Sequence, residues 1–282
     1  MILFQSTSDL RSYISEQKAK NLRIGFVPTM GALHAGHLSL IKIARQKCDL
    51  VVCSIFVNPT QFNVASDLET YPRPLSNDIR LLSEGFCDVL FNPSVDEVYG
   101  NDFTKDSSDD YGSFIHLLEG ASRPGHFDGV ITVVKKLFLL VQPDEVFFGQ
   151  KDYQQCLVIQ TLIERNFPFI NFNLCPIARE NNGLAMSSRN VRLSKEEFEL
   201  ASDLFKNLTH ILTNWKENAW LDALLEARTF LSKKPFELEY LEVCDQFTLE
   251  PLKAFKPNAI ALVAVQLGKT RLIDNLLLKP TL

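Results

Sequence analysis

The sequence predicts an α/β fold: a parallel sheet with helices on both faces, followed by a small α+β domain. Short continuous apolar runs are typical of strands that are buried on both faces. Segments of helical periodicity separate these runs, which is the alternation expected of parallel strands joined by crossover helices. After Arg189 the pattern changes, because helical segments come first and strand-like segments follow.

Four strands of the sheet are predicted from runs rich in Val, Ile, Leu and Phe: Ile24–Val27, Leu50–Val57, Val89–Phe91 and Glu145–Phe148. Four helices are predicted from apolar residues three and four positions apart: Leu38–Lys47, Asp78–Glu84, Val130–Val141 and Tyr153–Glu164. Ligands of open parallel sheets bind in the crevice beyond the carboxyl ends of the strands. We therefore expect a Rossmann-like domain over residues 1–180, with its site at that edge.

The pattern of helical and strand-like segments over residues 181–282 predicts the small α+β domain. Ser194–Glu197 has the pattern of a capping box that opens a helix, and Trp215 and Trp220 lie in a second helical stretch. The predicted strands follow these helices and are Leu238–Val243, Ile260–Leu267 and Thr270–Ile273.

The composition indicates a globular protein, because 282 residues with 46 % hydrophobic and 22 % charged residues can bury a large core. A net charge of −5 argues against nucleic acid as a standing partner, although a local basic pocket for a polyphosphate is compatible with it. The six cysteines form no C-x-x-C pair, and most lie in apolar runs, as reduced core cysteines do.

The chain carries no sequence signal for secretion or membrane insertion. Met1–Asp9 lacks the basic flank and the apolar stretch of a signal peptide, and no later segment is apolar for long enough to span a membrane. We therefore expect a cytoplasmic protein that is not bound to a membrane.

The most informative motif is His34-Ala35-Gly36-His37, which follows the first predicted strand and the breaker segment Pro28–Gly31. A strand that ends in this way and opens a helix with His at i and i+3 directs two imidazoles and free backbone N–H groups towards one point. The helix N-terminus adds roughly half a positive charge. This arrangement favours a polyphosphate ligand, and the alternatives are an ordinary helix start and a chance zinc pair.

Two further segments carry groups that suit phosphate. Phe148–Gln155 places a Gly-Gln-Lys string between a predicted strand and a predicted helix, so that a strand end again meets a helix start. Gly183–Asn190 contains two consecutive serines and an arginine, without the apolar period of a core segment. Hydroxyls and a guanidinium in one loop can clamp phosphate.

In their order along the chain, these segments resemble the pantothenate synthetase family of the nucleotidyltransferases, which have a HIGH-type adenylation site. The resemblance covers nearly the whole chain. The matching strings are Val27–His37, Phe56–Phe62, Tyr71–Arg73, Glu119–Gly120, Arg123–Phe127, Gly149–Gln155, Met186–Asn190 and Thr270–Asn275.

The resemblance implies that the chain joins pantoate and β-alanine to pantothenate in two steps. The carboxylate of pantoate attacks the α-phosphorus of ATP and releases pyrophosphate, and the amine of β-alanine then displaces AMP. The polyphosphate implies Mg²⁺, usually held through one or two carboxylates, and the sequence leaves the protein ligands of this metal open. The resemblance also implies a homodimer and a C-terminal domain that closes as a lid over the nucleotide.

The resemblance assigns catalysis to His34, His37 and Lys151, with His37 as the acid that hydrogen-bonds the leaving group. ATP binding is assigned to residues near the strand ends and in the serine loop: Met30, His34, His37, Gly149, Gln150, Lys151, Asp152, Ala178, Met186, Ser187, Ser188 and Arg189. Gly149 would admit the adenine or ribose without a Cβ in the way, and Asp152 would take a ribose hydroxyl.

Pantoate carries hydroxyls and a gem-dimethyl group, so its pocket needs amides beside apolar walls. Gln61 and Gln155 are assigned to pantoate, and Gln61 also to β-alanine; without the resemblance, Gln61 would be taken for a surface amide. Arg123 and His126 stay open between a ligand contact and a turn. The polar, acidic segment Asn101–Arg123 predicts either a flap over the site or a plain surface loop.

Two alternative functions remain at this point. Another nucleotidyltransferase of the same type would keep both histidines, but it would not need Asn58–Phe62 or a second glutamine. A catalytically idle nucleotide sensor would bind ATP and release no AMP.

Overall fold

The computed structural model describes residues 1–63, 68–100, 102–106 and 111–279. Contacts within the chain divide it into two compact units: Met1–Gly149 with Gln155–Pro176, and Gln150–Gln154 with the chain from Ile177 onwards. This division differs from a single boundary near residue 180, because the short segment Gln150–Gln154 groups with the C-terminal residues. The functional division into residues 1–180 and 181–282 stays a prediction.

The first unit is built on a six-stranded parallel sheet in the order β1-β4-β3-β2-β5-β6. Its strands are β1 Ile2–Phe4, β2 Ile24–Thr29, β3 Leu50–Ile55, β4 Val89–Phe91, β5 Glu145–Gly149 and β6 Asn171–Cys175. The helices that connect them are α1 Thr7–Ala19, α2 Ala35–Lys47, α3 Leu75–Glu84, α4 Val95–Tyr99, α5 Leu118–Ser122, α6 His126–Val141 and α7 Tyr153–Asn166. The predicted α/β class is confirmed.

Both faces of this sheet carry a core, which explains the continuous apolar runs of its strands. Phe26 packs with the α1 and α6 residues on one face, and its neighbour Val27 packs with Ile41 of α2 and Leu82 of α3 on the other. The side chain that follows α2 packs closely on β2, since a Cβ on Gly25 would lie 2.7 Å from the Cys48 sulfur.

The strand order places β2 between β3 and β5, so the chain runs outward from β2 in both directions. Such a reversal leaves a crevice at the carboxyl ends of the central strands, where ligands of doubly wound sheets bind. The segment after β2 and the end of β5 at Gly149 both lie at this edge.

Five elements of the first unit were not predicted from the sequence, and two of them, α4 and α5, are helices of only five residues. β1 has three residues, and α1 is largely polar, so that neither gives a clear periodic signal. β6 is the edge strand Asn171–Cys175, and its alternating asparagines and apolar residues conceal it.

The second unit contains helices α8 Lys195–Ala201, α9 Asp203–Thr213 and α10 Trp220–Leu231, and the antiparallel sheet β7 Phe236–Asp245, β8 Ala259–Leu267 and β9 Thr270–Leu278. Ser194 and Glu197 form the predicted capping box at the start of α8. Trp220 begins α10, but Trp215 follows the end of α9, so its placement in a helix was wrong. Both tryptophans are buried in the core of this unit.

The segment Asn101–Arg123, predicted as an exposed loop or a flap, is partly buried. Asn101 and residues 107–110 lie outside the described residues. Tyr111 and Ile115 are buried in the core of the first unit, because apolar side chains within the polar stretch turn inward. Gly120 packs tightly there, since a Cβ on it would overlap the Ile115 carbonyl. The flap therefore stays a prediction.

All six cysteines are buried and carry no disulfide, as their apolar surroundings predicted. Among the described residues, no helix combines the length and the low polarity that crossing a bilayer requires.

Gly129 is a position of this fold that tolerates a side chain poorly. It lies in α6 against the turn Pro59–Gln61, and a Cβ would lie 2.7 Å from the Gln61 nitrogen. We expect Gly129→Ala to lower the free energy of unfolding by about 3 kcal/mol in urea titrations, because backbone must move to admit the methyl group. Gly149→Ala is the control, since no described atom lies within 4 Å of its added Cβ. Equal stability of the two variants would contradict this packing argument.

Candidate functional site

The segment between β2 and α2 has an unusual backbone. Gly31 and Ala32 both have positive φ, at 80° and 51°. A side chain on Gly31 would be strained and would also meet Ile55, which accounts for glycine there. The conformation of Ala32 is unfavourable for a residue with a Cβ and needs compensation.

Asp78 supplies that compensation from α3. Its two carboxylate oxygens accept hydrogen bonds from the Ala32 and Leu33 N–H groups, at 2.9 and 2.8 Å. The side chain is buried, and burial raises its pKa, while the two backbone hydrogen bonds oppose that rise. No local pattern indicates this role, because the carboxylate lies 45 residues further along the chain than Leu33.

The two histidines form a reciprocal cap on the first turn of α2. The His34 Nδ1 accepts from the Gly36 N–H at 3.1 Å, and the His37 Nδ1 accepts from the His34 N–H at 3.3 Å. Because Nδ1 is the acceptor in each ring, the hydrogen of each neutral imidazole is on Nε2. The ring centroids lie 4.1 Å apart.

This geometry corrects one prediction from the sequence. The N–H groups at this helix start were expected to be free for a ligand, but those of Gly31, Ala32, Leu33, His34 and Gly36 all have acceptors within the chain. An anion at this turn would therefore need donors other than these five N–H groups, such as the imidazole Nε2–H groups.

Gln61 lies in a buried network of amides. The Asn58 Oδ1 accepts from the Thr60 N–H, and its Nδ2 donates to the Gly129 carbonyl. Because one of these groups can only donate and the other can only accept, the orientation of the Asn58 amide is fixed. Its Nδ2 also donates to the Gln61 Oε1 at 3.2 Å. The Gln61 Nε2 therefore points the other way, and it contacts the Met30 sulfur at 2.8 Å.

Three residues beyond the predicted set support this network. The Tyr99 hydroxyl donates to the Asn58 Oδ1 at 2.7 Å. The His126 Nδ1 lies 2.8 Å from the Gln61 carbonyl oxygen, and the Arg123 guanidinium donates to that oxygen at 3.5 Å. Arg123 and His126, whose roles the sequence left open, thus contact the backbone of the turn that carries Gln61.

A cavity of about 500 Å³ adjoins this region of the first unit. Met30, Phe56 and Asn92 line it at the carboxyl ends of β2, β3 and β4, together with Asp78. It lies at the edge of the sheet where the sequence predicted a ligand.

The Gln150–Asp152 turn belongs to the second unit. Its carbonyls at Gln150 and Lys151 accept from the Asn275 side chain, at 2.9 and 3.0 Å. The side chain of Lys151 is mostly covered, and its ammonium lies 3.9 Å from Asp152, which is exposed.

The serine loop, residues 183–190, lies in the same unit and is held by its own backbone. The Met186 N–H donates to the Ala178 carbonyl at 2.9 Å, and the Arg189 N–H donates to the Ser187 hydroxyl at 3.2 Å. The Asn190 side chain is buried and donates to the Ala185 carbonyl. The loop is thus pre-shaped by contacts within the unit.

The predicted residues therefore fall into two groups. The first unit holds Met30, His34, His37, Gln61, Gly149 and Gln155, and the second holds Gln150, Lys151, Asp152, Ala178, Met186, Ser187, Ser188 and Arg189. Within the part of the chain that the structure describes, no three His, Cys, Asp or Glu side chains are grouped so that they could hold a metal ion. A chance zinc pair at His34 and His37 thus has no third ligand of these types among the described residues.

Comparison with known proteins decides the family. A model of the family described as pantoate-beta-alanine ligase matches residues 2–277. The chain belongs to the pantoate–β-alanine ligase family. It is accordingly an enzyme of the ligase class that joins pantoate to β-alanine.

Relatives of this family match over the full length. Pantothenate synthetases of Cytophaga hutchinsonii and Aquifex aeolicus are each 44 % identical, over 99 % and 97 % of this chain and 99 % and 98 % of theirs. The crystal structure of pantothenate synthetase from Thermus thermophilus has a TM-score of 0.92 at 40 % identity and covers 99 % of this chain and 100 % of its own.

One solved relative is described as a complex with ligands. The pantoate–β-alanine ligase from Francisella tularensis, complexed with beta-gamma ATP and beta-alanine, has a TM-score of 0.82 at 35 % identity and covers 100 % of this chain and 99 % of its own. A member of the ligase family thus binds a nucleotide and the amine substrate on this fold.

Substitution of Asp78 tests whether its carboxylate holds the segment before α2 in place. We expect Asp78→Asn to lower the free energy of unfolding by about 1 to 3 kcal/mol, because the amide offers one acceptor where two N–H groups need one each. Urea unfolding measures the change. Asp222→Asn, an exposed acid in the first turn of α10, is the matched control and should stay within about 0.5 kcal/mol of the unsubstituted protein. A loss no larger than that of the control would refute this role of Asp78.

Proposed function

We propose that the chain makes pantothenate through a pantoyl-adenylate intermediate and releases pyrophosphate and then AMP. The observation that carries this proposal is the histidine cap of α2, which orients two Nε2–H donors at the carboxyl end of β2. An in-line displacement at phosphorus needs neutralised oxygens and positioning more than it needs a protein nucleophile. Hydrogen-bond donors that are already oriented suit that task.

Each residue group has a separate role in this proposal. His34 and His37 donate to the triphosphate, and His37 hydrogen-bonds the leaving group as its charge grows. Lys151 contributes a fixed positive charge to phosphate binding. The serine loop, with Ser187, Ser188 and Arg189, binds phosphate from the second unit. The residues that complete the ATP site in this proposal are Met30, Gly149, Gln150, Asp152, Ala178 and Met186.

Gln61 binds pantoate through its Nε2–H donors, because Asn58 already occupies its Oε1. The group of the substrate that faces Gln61 must then be an acceptor, such as a carboxylate or hydroxyl oxygen. Gln155 is the second amide for pantoate. β-Alanine also has a carboxylate that could accept from Gln61, whereas its protonated amine could not.

Mg²⁺ enters this proposal bound to ATP. Magnesium usually keeps several waters and takes phosphate oxygens with one or two carboxylates. The described residues, which provide no cluster of three acidic or imidazole ligands, are compatible with a metal held mainly by the nucleotide. The ion would neutralise phosphate oxygens during the displacement. A cytoplasmic location, expected because the sequence carries no targeting signal, and a homodimer, implied by the resemblance, belong to the same proposal.

One assay separates the candidate functions. The protein is incubated with MgATP, pantoate and β-alanine, each omitted in turn, while AMP, ADP, pyrophosphate and ATP–pyrophosphate exchange are followed. The adenylate route is supported if ATP–pyrophosphate exchange requires pantoate and if the release of AMP requires β-alanine. Pyrophosphate exchange that does not depend on pantoate would favour another nucleotidyltransferase, which keeps the nucleotidyl group in its product and releases no AMP. ATP binding without any turnover would favour the idle sensor.

His37→Ala tests the role of the cap in catalysis. Loss of one donor to developing phosphate charge typically slows turnover about 10² to 10³ fold, and we expect a fall of this size in pantoate-dependent pyrophosphate exchange. The control is His210→Ala, which removes an exposed imidazole paired with Glu226 in the second unit. Near-normal exchange in a folded His37→Ala protein would exclude His37 from the chemistry.

Gln155→Ala tests the pantoate pocket. We expect the KM for pantoate to rise by about tenfold or more, with the KM for ATP within about twofold of normal, because one hydrogen bond to one substrate is lost. Steady-state kinetics with each substrate varied measures both. Gln160→Ala, an exposed glutamine on the same helix, controls for the helix itself. An equal rise of both KM values would argue against this assignment.

A further inference from the structure

The string Thr270–Asn275 near the C-terminal end has no role in the site described so far. It begins β9, an edge strand of the second sheet, and it ends in two polar residues, Asp274 and Asn275. Side chains alternate between the two faces of a strand, yet both of these are buried, with 3 % and 1 % of their surface exposed. Two consecutive buried polar side chains in a strand need partners on both faces.

Asn275 finds its partners in the Gln150–Asp152 turn. Its Nδ2 donates to the Gln150 and Lys151 carbonyls at 2.9 and 3.0 Å, and its Oδ1 accepts from the Gln150 Nε2 at 3.1 Å. Both amide hydrogens and the amide oxygen are thus engaged with one turn. This contact joins Gln150–Gln154 to the second unit.

Asp274 finds its partners next to the serine loop. Arg179 binds it with two parallel hydrogen bonds, at 2.6 and 3.0 Å, and the same guanidinium donates to the Gly183 carbonyl at 3.0 Å. The Arg179 guanidinium also lies 3.7 Å from the centre of the Phe205 ring, which restricts its plane. Burial raises the pKa of Asp274, while Arg179, the Asn275 N–H and the Lys151 charge act against that rise.

We propose that Asn275 and Asp274 are positioning residues for ATP, which hold the Lys151 turn and the serine loop in fixed register on one strand of the second unit. The inference rests on the proposed function, since it takes both segments as phosphate-binding. Neither residue touches a reacting atom in this view. They act by preventing the Lys151 backbone and the Arg179–Gly183 end of the loop from shifting independently of each other.

A purely structural role would have a different signature. If the pair served only to satisfy buried groups, its loss would lower the melting temperature and the fraction of active protein, but each surviving molecule would bind ATP normally. A positioning role changes the affinity for ATP in protein that is fully folded, and it leaves the pantoate pocket of the first unit unaffected.

The test uses Asn275→Asp, which keeps the shape of the side chain and removes both Nδ2 donors. The matched control is Asn207→Asp, the same change on α9 of the same unit, where the side-chain amide donates to the Asp203 carbonyl of its own helix. ATP binding is measured by calorimetry with MgATP and without turnover, and the KM values for ATP and pantoate are measured in the complete assay. We expect the Kd and KM for ATP to rise about tenfold in Asn275→Asp, with the KM for pantoate within about twofold of normal.

Asn275→Ser is the second variant, because it retains one donor and is expected to fold with an intermediate ATP affinity. The proposal is overturned if both folded variants bind ATP as tightly as the control, if the KM for pantoate rises as much as that for ATP, or if both variants fail to fold. The calorimetric measurement of ATP binding does not depend on the proposed activity. Absence of pantoate-dependent exchange in the unsubstituted protein would reject the proposed function, and the binding comparison would still decide the role of Asn275.

Discussion

The carboxylate of Asp78 is the constraint on which the candidate site residues between β2 and α2 depend. β2 must leave the sheet, reverse through two residues of positive φ and start a helix within a few positions. This path turns the Ala32 and Leu33 N–H groups towards the interior, and a buried acceptor from α3 makes it possible. The histidine cap follows directly from that turn. The rings are therefore oriented by the fold before any ligand is present.

Much of the sheet could be predicted, because β2, β3, β4 and β5 are buried on both faces and their apolar runs are unbroken. The strand and helix at the N-terminal end were missed since they carry weak periodicity. Candidate site residues within one string could be named from the sequence, and their roles stay predictions. The residues that support them could not be named in this way: Asp78 with Leu33, Tyr99 with Asn58, and Asn275 with Lys151 are separated by 45, 41 and 124 residues. Such pairs are set by the topology of the chain, which local patterns do not encode.

The free N–H groups that were expected at α2 illustrate the same limit. A helix N-terminus leaves donors unpaired in general, but here side chains of the chain itself take them. Local reasoning did not anticipate that these N–H groups have acceptors within the chain. In the proposed site the imidazoles take the place of the backbone as donors, so the proposed chemistry would depend on side chains that can be changed by substitution.

The burial of the cysteines determines how the enzyme reacts with oxidants and alkylating reagents. Burial raises the pKa of Cys48 and Cys175 to about 11 and that of Cys87 and Cys244 to about 12, and it raises that of Cys53 well above its usual range. At neutral pH these sulfurs remain protonated and covered, and the thiolate is the form that peroxide and alkylating reagents attack. Oxidants would accordingly react with the methionines of this protein before these thiols, and oxidation of Met30 would alter its contact with the Gln61 side chain.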